Sequence, residues 1–209
     1  MAEKEILQFF IGTWSVIRII RFPINLAAME KAPATTNKSQ IIAIGKAKFA
    51  EINMDNISYR EDVEVYYDNI NMKAYREYKY SYENGKELVK YFKAEGTDTY
   101  KLFYKLAFAR DYSKAHATYI CGQDLYKATY LLNLSGRSSA DYWDAYSTFE
   151  SSTTSSYSAI LHSASSPNIE TLGDSEKVSI SGSDSFILKY EINGPKKKYI
   201  IETKFNKLR

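Results

Sequence analysis

The sequence predicts an all-β protein built as a single antiparallel barrel. Between residues 12 and 134 most segments are rich in Ile, Val, Tyr and Phe, alternate partly with polar residues and carry few helix signals. Residues 185–205 add the clearest hairpin pattern of the chain. Together these segments make about eight to ten strands, and so long a sheet usually closes rather than exposing flat edges.

A short helix is predicted before the first strand, over residues 2–10. Ile6, Leu7, Phe9 and Phe10 fall near one side of this helix, opposite a charged side. Such a helix can bury its apolar side against one end of a barrel.

The middle of the chain is predicted to be a meander of strands. The segments that carry the pattern are residues 38–52, 57–68, 71–83, 86–94, 99–108, 117–121 and 125–134. Asn84-Gly85 supplies the positive φ angles of a tight two-residue hairpin. In the last hairpin, residues 186–192 alternate, Asn193-Gly194-Pro195 turns, and residues 199–205 alternate again.

Residues 135–182 depart from this strand pattern. They contain fifteen serines and only scattered apolar residues. A segment of this composition buries too little apolar surface to offset the entropy cost of ordering it. We therefore predict one barrel domain over residues 1–209, with a Ser-rich, partly disordered insertion at 135–182 between late strands.

Charge and composition exclude several classes of partner. A net charge of +3, from 28 basic and 25 acidic residues, is too balanced for a protein that coats nucleic acid. The lysines among the aromatic residues of 86–108 are typical of a strand with one solvated face. The apolar run around Arg18 and Arg21 is too short and too charged to span a membrane. With one cysteine and no recognisable targeting segment, a cytoplasmic location is expected.

One face of the predicted strand at residues 71–83 carries three phenols and a guanidinium: Tyr78, Tyr80, Tyr82 and Arg76. If this face points inward, the lumen suits a ligand that carries a carboxylate or phosphate. The alternative is an internal ion pair of Arg76 with Glu61 or Glu64. Arg60, beside Glu61, is open to the same two interpretations.

The segment HATYICGQDLY, residues 116–126, combines His116, Cys121 and Asp124. His116 and Cys121 are an odd number of residues apart, so in a strand they point to opposite faces, and structural zinc needs four ligands. No metal site and no cofactor are predicted. Cys121 is expected to be a small buried residue, and Asp124 to tie its turn to backbone N–H groups.

Gly12-Thr-Trp14, which opens the first strand, resembles the Gly-x-Trp motif of lipocalin-type barrels. In that class a basic side chain of the last strand lies over the tryptophan. The resemblance implies a structural pair of Trp14 with Lys204, or alternatively Lys207, through a cation–π contact of about 1 kcal/mol.

A longer series of motifs resembles the DUF6314 family, a set of small lipocalin-like proteins without an established activity. The series is Gly12-Thr-Trp14, Gly45–Phe49, Tyr59-Arg60-Glu61, Cys121–Tyr126, Tyr130 and Asn193–Tyr199. The resemblance runs from about residue 7 to the C-terminus except for residues 135–182. The family commonly has a histidine two residues before the cysteine. Here Tyr119 stands at that position, so no metal or catalytic role is transferred from it.

These observations favour noncatalytic binding of a small, partly apolar, anionic ligand in the lumen. The predicted ligand-binding residues are Arg76, Tyr78, Tyr80, Tyr82 and Arg60. The alternative is an interaction protein with a filled barrel, an accessory subunit that contacts protein partners through its outer surface and its insertion. No complete catalytic constellation is present, which disfavours an enzyme. The volume of the inward side chains decides between these two functions, because a barrel of about eight strands is either filled or holds one small ligand.

Overall fold

The structure, a computed structural model, describes residues 5–22, 40–67, 70–83, 87–94, 96–134, 140–150, 184–195 and 197–208. It confirms the predicted barrel, with ten antiparallel strands closed in the order β1-β10-β9-β8-β7-β6-β5-β4-β3-β2. The elements are α1 (Glu5–Phe10), β1 (Gly12–Arg21), β2 (Gln40–Asn53), β3 (Asn56–Tyr67), β4 (Ile70–Glu83), β5 (Glu87–Lys93), β6 (Tyr100–Phe108), β7 (Lys114–Cys121), β8 (Asp124–Asn133), β9 (Ser185–Asn193) and β10 (Lys198–Lys207).

The first and last strands close the wall of the barrel. β1 pairs with β10 from Trp14 opposite Lys207 to Arg21 opposite Ile200. The sheet is also continuous across the Ser-rich segment, because β8 pairs with β9 from Leu125 to Asn133. The predicted turn at Asn84-Gly85 lies outside the described residues.

Helix α1 packs into one end of the barrel. Its apolar residues are buried against inward side chains of the strands, and the Phe10 ring meets the Phe186 ring edge-on at 5.3 Å. Trp14 Nε1 donates a hydrogen bond to the carbonyl oxygen of Phe10 at 2.8 Å, and Phe186 stacks on Phe205 at 4.1 Å. Since six residues are too few for a stable isolated helix, α1 depends on this packing.

The lysine over Trp14 is Lys207, not Lys204. Lys207 Nζ lies 5.3 Å from the centroid of the indole and donates to the Phe9 carbonyl oxygen at 2.8 Å. The strand register explains the difference, because Trp14 is paired with Lys207 and so shares its face. Lys204 points to the outside of the wall, where it lies over the Tyr146 ring at 3.9 Å and pairs with Glu150.

Part of the predicted insertion is ordered against the outside of the barrel. Residues 140–150 are helical, and Tyr142 packs there with Leu131 and Ile187. Phe149 is also buried. Residues 135–139 and 151–182 lie outside the described residues. Of the helices that are described, none has both the length and the apolar character needed to cross a membrane.

Cys121 is exposed, contrary to the prediction that it is buried. It ends β7 beside the turn to β8, where the strands leave the barrel core. The Asp124 side chain contacts the neighbouring hairpin turn. It lies 3.1 Å from Lys197 Nζ and so close to Gly194 that a Cβ there would sit 1.8 Å from Oδ1. Asp124 therefore joins the β7–β8 turn to the β9–β10 turn.

Candidate functional site

A buried ion pair lies inside the barrel between β1 and β3. Arg18 donates from both terminal nitrogens to the two oxygens of Glu61, at 2.6 Å and 2.7 Å. Arg18 Nε donates to Thr203 Oγ1 at 2.9 Å, and the Tyr59 hydroxyl donates to the same carboxylate. All four side chains are buried. The carboxylate therefore has its acceptor sites occupied within the protein.

The ion pair fixes the charges of its members. Burial alone would raise the pKa of Glu61, but the hydrogen bonds and charge of Arg18 outweigh it and lower that pKa. Burial and the neighbouring Glu61 carboxylate raise the pKa of Tyr59 well above its ordinary value. At neutral pH, Glu61 is thus an anion and Tyr59 a neutral phenol.

Arg76 is the second cation near Glu61, on the facing position of β4. Its Nε is 3.8 Å from Glu61 Oε1, beyond hydrogen-bond distance, and its side chain is 45% exposed. Arg76 thus forms the ion pair with Glu61 that the sequence offered as the alternative, but without a hydrogen bond, whereas Arg18 and Tyr59 both hydrogen-bond to the carboxylate.

Arg76 lies in the wall of two cavities. The first, which we name the β4–β5 cavity, has a volume of about 730 Å³, and its lining also includes Tyr78, Phe92, Lys93 and two acidic residues, Glu77 and Asp98. The second, which we name the mouth cavity, has a volume of about 790 Å³. It is lined by Arg76 together with Ile20, Phe22, Lys197, Lys198, Tyr199 and Ile201. Arg76 thus borders both a polar and a largely apolar concave surface.

Lys90 of β5 is buried in the barrel interior with an exposure of 2%. Its ammonium nitrogen lies within about 6 Å of the centroids of six aromatic rings, the nearest being Tyr78 at 3.9 Å. We name this group the Lys90 cage; its rings are Tyr59, Tyr78, Tyr80, Phe103, Tyr104 and Tyr190. Lys90 Nζ also lies 3.3 Å from the hydroxyl of Tyr190.

A chain of tyrosine hydroxyls leads away from Lys90. The Tyr190 hydroxyl is 2.6 Å from that of Tyr104, which is 2.7 Å from that of Tyr130. The Tyr130 hydroxyl is in turn 3.3 Å from that of Tyr80. Burial raises the pKa of each of these phenols above its ordinary value. The chain therefore consists of neutral hydroxyls that can donate as well as accept.

The pKa of Lys90 is well below the ordinary value of 10.5, mainly because burial penalises the ammonium. The Glu61 carboxylate opposes this shift, while the charges of Arg18 and Arg76 add to it. Aromatic faces also favour the ammonium, by about 2 kcal/mol for a close desolvated contact. The effective cost of burying an unpaired ammonium is several kcal/mol, which is the larger of these two effects and has the direction of the lowered pKa.

The structure separates the predicted ligand-binding residues. Arg76 and Tyr78 line one cavity together, whereas Tyr80 lies in the filled interior. Tyr82 lies near α1, in a cavity of about 640 Å³ that Ile6 also lines. These four side chains share a face of β4 but are distributed along the barrel.

Arg60 does not face the lumen, contrary to the prediction. Its guanidinium is exposed on the outer surface, where it pairs with Asp62 at 2.9 Å and Glu77 at 3.0 Å. The alternation of β3 explains this position, because the neighbouring Glu61 points inward.

Sequence reasoning missed Lys90, Arg18 and the tyrosines of the hydroxyl chain outside β4. A signal was available, because Lys90 shares its parity with Leu88, which is buried in the core. Arg18 likewise shares its parity with Trp14. Among the described residues, no group of three or more His, Cys, Asp or Glu side chains is placed to hold a metal ion.

Comparisons with known proteins bear on the fold. A family model described as "Family of unknown function (DUF6314)" matches residues 10–147. The comparison with solved structures found the S-type phycobiliprotein lyase CPES from Guillardia theta, at 8% sequence identity and a TM-score of 0.48. The match covers 100% of this chain and 94% of that chain. No curated protein matches the sequence.

Proposed function

The chain belongs to the family of unknown function DUF6314, and we propose that this member binds a small, partly apolar ligand that carries a carboxylate or phosphate group. The observation that carries the proposal is Arg76. Arg76 lines two cavities, while the facing Glu61 accepts its hydrogen bonds from Arg18 and Tyr59.

The balance of charge around Arg76 supports an anionic ligand. In this part of the described interior, the charged side chains that act on Lys90 are Glu61, Arg18 and Arg76. One carboxylate thus faces two guanidiniums. A bound anion would reduce the repulsion among these groups and would meet a planar pair of N–H donors on Arg76.

The mouth cavity supports the apolar part of the ligand. Ile20, Phe22 and Ile201 contribute apolar wall, and Lys197 and Lys198 lie at its margin. A hydrocarbon group that enters this cavity gains about 25 cal/mol for each Å² of apolar surface removed from water. The chemistry of the site thus suits an amphiphile with its anionic group at Arg76.

Binding of decanoate, measured by isothermal titration calorimetry, tests this function. We expect decanoate to bind the wild type and decanol, of the same chain length, to bind more weakly. Because hydrogen bonds to a charged group contribute about 1.5–3 kcal/mol, Arg76→Gln should weaken decanoate binding at least about tenfold. Arg60→Gln is the matched control, since it removes the same cation from the outer surface of the adjacent strand.

Two outcomes would refute the proposal. One is that neither decanoate nor decyl phosphate binds the wild type. The other is that Arg76→Gln and Arg60→Gln bind decanoate equally well, which would locate the anion elsewhere.

A second candidate function, docking of a protein partner, is supported by an exposed edge on β4. β3 pairs with β4 from Ile70 to Ser81, but β5 pairs only with Tyr78–Glu83. Ile70, Met72 and Tyr75 lie on the remaining part and are exposed. An extended segment of a partner could add to this edge. Replacing Met72 with Lys should abolish such a complex and leave decanoate binding unchanged.

A further inference from the structure

Lys90 plays no part in the anion binding proposed above. It is an amine buried to 2% exposure whose hydrogen-bond partner among the described residues is a phenol. We propose that Lys90 is a reactive amine that forms an imine with an aldehyde or ketone group of the ligand. The inference rests on the proposed function in one respect: Arg76 would hold the anionic group of the same ligand.

The surroundings of Lys90 favour a nucleophilic amine over a structural ion pair. Its hydrogen-bond partner among the described residues is a neutral phenol, Tyr190, rather than a carboxylate. Glu61, the carboxylate that acts on it, is engaged by Arg18. Burial lowers the pKa of Lys90, which raises the fraction of the amine that carries a free lone pair relative to an exposed lysine.

Tyr78 stands between Lys90 and the β4–β5 cavity. Its ring centroid lies 3.9 Å from Lys90 Nζ, and Tyr78 is also one of the residues that line the cavity. The ring also stacks on Phe103 at 5.9 Å, and its side chain is only partly buried. Rotation of this one side chain would connect the cavity with the amine. Arg76 lies two residues before Tyr78 on the same face of β4.

The positions of Arg76 and Tyr78 restrict the ligand. Lys90 is the register partner of Tyr80, four residues beyond Arg76, and four residues of a strand span about 13 Å. A carbonyl group that reaches Lys90 is therefore separated by a spacer of several bonds from an anionic group held by Arg76. The ligand class is therefore a small oxo acid or an aldehyde that carries a carboxylate or phosphate.

The reaction needs no oxidant or reductant. The Lys90 lone pair forms a bond to the carbonyl carbon, and the π pair of the C=O bond moves to oxygen, which takes a proton from the Tyr190 hydroxyl. The nitrogen then gives up a proton to the Tyr190 oxygen. Loss of the hydroxyl group with the second nitrogen proton releases one water and leaves a C=N bond. Tyr104, at 2.6 Å, stabilises the Tyr190 oxygen while it lacks its proton.

Reductive trapping on the wild-type protein tests the inference. The protein is incubated at neutral pH with 4-carboxybenzaldehyde or benzaldehyde and sodium cyanoborohydride, and the labelled lysines are mapped by peptide mass spectrometry. We expect Lys90 to be labelled at least about tenfold faster than Lys105, an exposed lysine of β6 paired with Glu87. Labelling of Lys90 no faster than Lys105 overturns the inference.

Two variants make the assignment specific. Lys90→Met should lose this adduct and keep the labelling of Lys105, which also shows that the variant is folded and reactive elsewhere. Tyr190→Phe should slow the labelling of Lys90 because it removes the proton donor. Unchanged labelling in Tyr190→Phe would contradict the role given to that hydroxyl.

The two probes separate this inference from the proposed function. If Lys90 reacts equally with both aldehydes and Arg76→Gln has no effect, the imine holds and the anion site fails. If Arg76 is required for decanoate binding but Lys90 is not labelled, the anion site holds and the imine fails.

Discussion

Arg18 on β1 and Glu61 on β3 form their bidentate ion pair across an intervening strand, β2. The two residues are register partners of Ala43 and Ala47 of β2. Gly45 lies between these alanines, where a Cβ would come within 2.1 Å of the Asp62 carbonyl oxygen. The small side chains of β2 therefore leave the space through which the arginine reaches the carboxylate.

Glu61→Gln is expected to destabilise the barrel strongly. The substitution keeps the shape of the side chain but leaves the buried Arg18 guanidinium without a compensating charge. Breaking one partner of a buried ion pair typically costs 3–5 kcal/mol, so we expect a loss of about that size in urea denaturation. Glu77→Gln, which removes a half-buried carboxylate paired with Arg60 on the outer surface, should cost less than about 1 kcal/mol. Equal losses in the two variants would contradict the importance of the buried pair.

The contribution of Glu61 should also disappear in acid. The pKa of Glu61 in the folded protein is lower than 4.5, the ordinary value of a glutamate in an unfolded chain. A carboxyl group of this kind stabilises the protein above the unfolded pKa, and the stabilisation is lost as the pH falls through the folded pKa. The difference in unfolding free energy between wild type and Glu61→Gln should therefore be constant near neutral pH and shrink below pH 4.5. A difference that grows in acid would show the opposite sign of the shift.

The sequence was sufficient for the barrel but not for the site. Period-two alternation and the motif around Trp14 predict the strands and the closed end, because they depend on neighbours along one strand. The same alternation places Lys90 on the buried face of its strand together with Leu88, although the lysines of this segment also fit the prediction of a solvated face. The meeting of Arg18 with Glu61 could not be predicted in this way. It depends on the register of three strands and on the small residues of β2, which a single strand does not encode.

Lys90→Met is expected to change how stability depends on alkaline pH. The folded-state pKa of Lys90 is depressed, so between that value and 10.5 the unfolded chain binds a proton that the folded protein lacks. Stability from this group therefore rises with pH, by about 1.4 kcal/mol for each pH unit in that interval. In urea denaturation, the unfolding free energy of the wild type relative to that of Lys90→Met should increase with pH until the ordinary lysine pKa is reached. Parallel curves would mean that Lys90 is charged in the folded protein.

Lys207→Met should weaken the α1 end of the barrel. The ammonium lies over the Trp14 ring and also holds the Phe9 carbonyl oxygen and Asp184, so its loss affects both the indole and the helix. We expect a loss of about 1–3 kcal/mol in unfolding free energy, with faster acrylamide quenching of Trp14 fluorescence. Lys204→Met is the control on the same strand, and it should leave the quenching of Trp14 unchanged. If Lys204→Met raises the quenching and Lys207→Met does not, the assignment of the two lysines is reversed.

Phe149→Ala tests whether the helical residues 140–150 are part of the folded core. Phe149 is 1% exposed, whereas Trp143 in the same helix is 48% exposed. Truncation of a buried phenylalanine typically costs 3–5 kcal/mol, because the removed ring leaves a cavity and loses its burial. We therefore expect a loss of about that size for Phe149→Ala in urea denaturation, and a change below about 0.5 kcal/mol for Trp143→Phe. Loss of Phe149 without effect on the cooperative transition would show that this helix is dispensable, as the Ser-rich composition around it suggests.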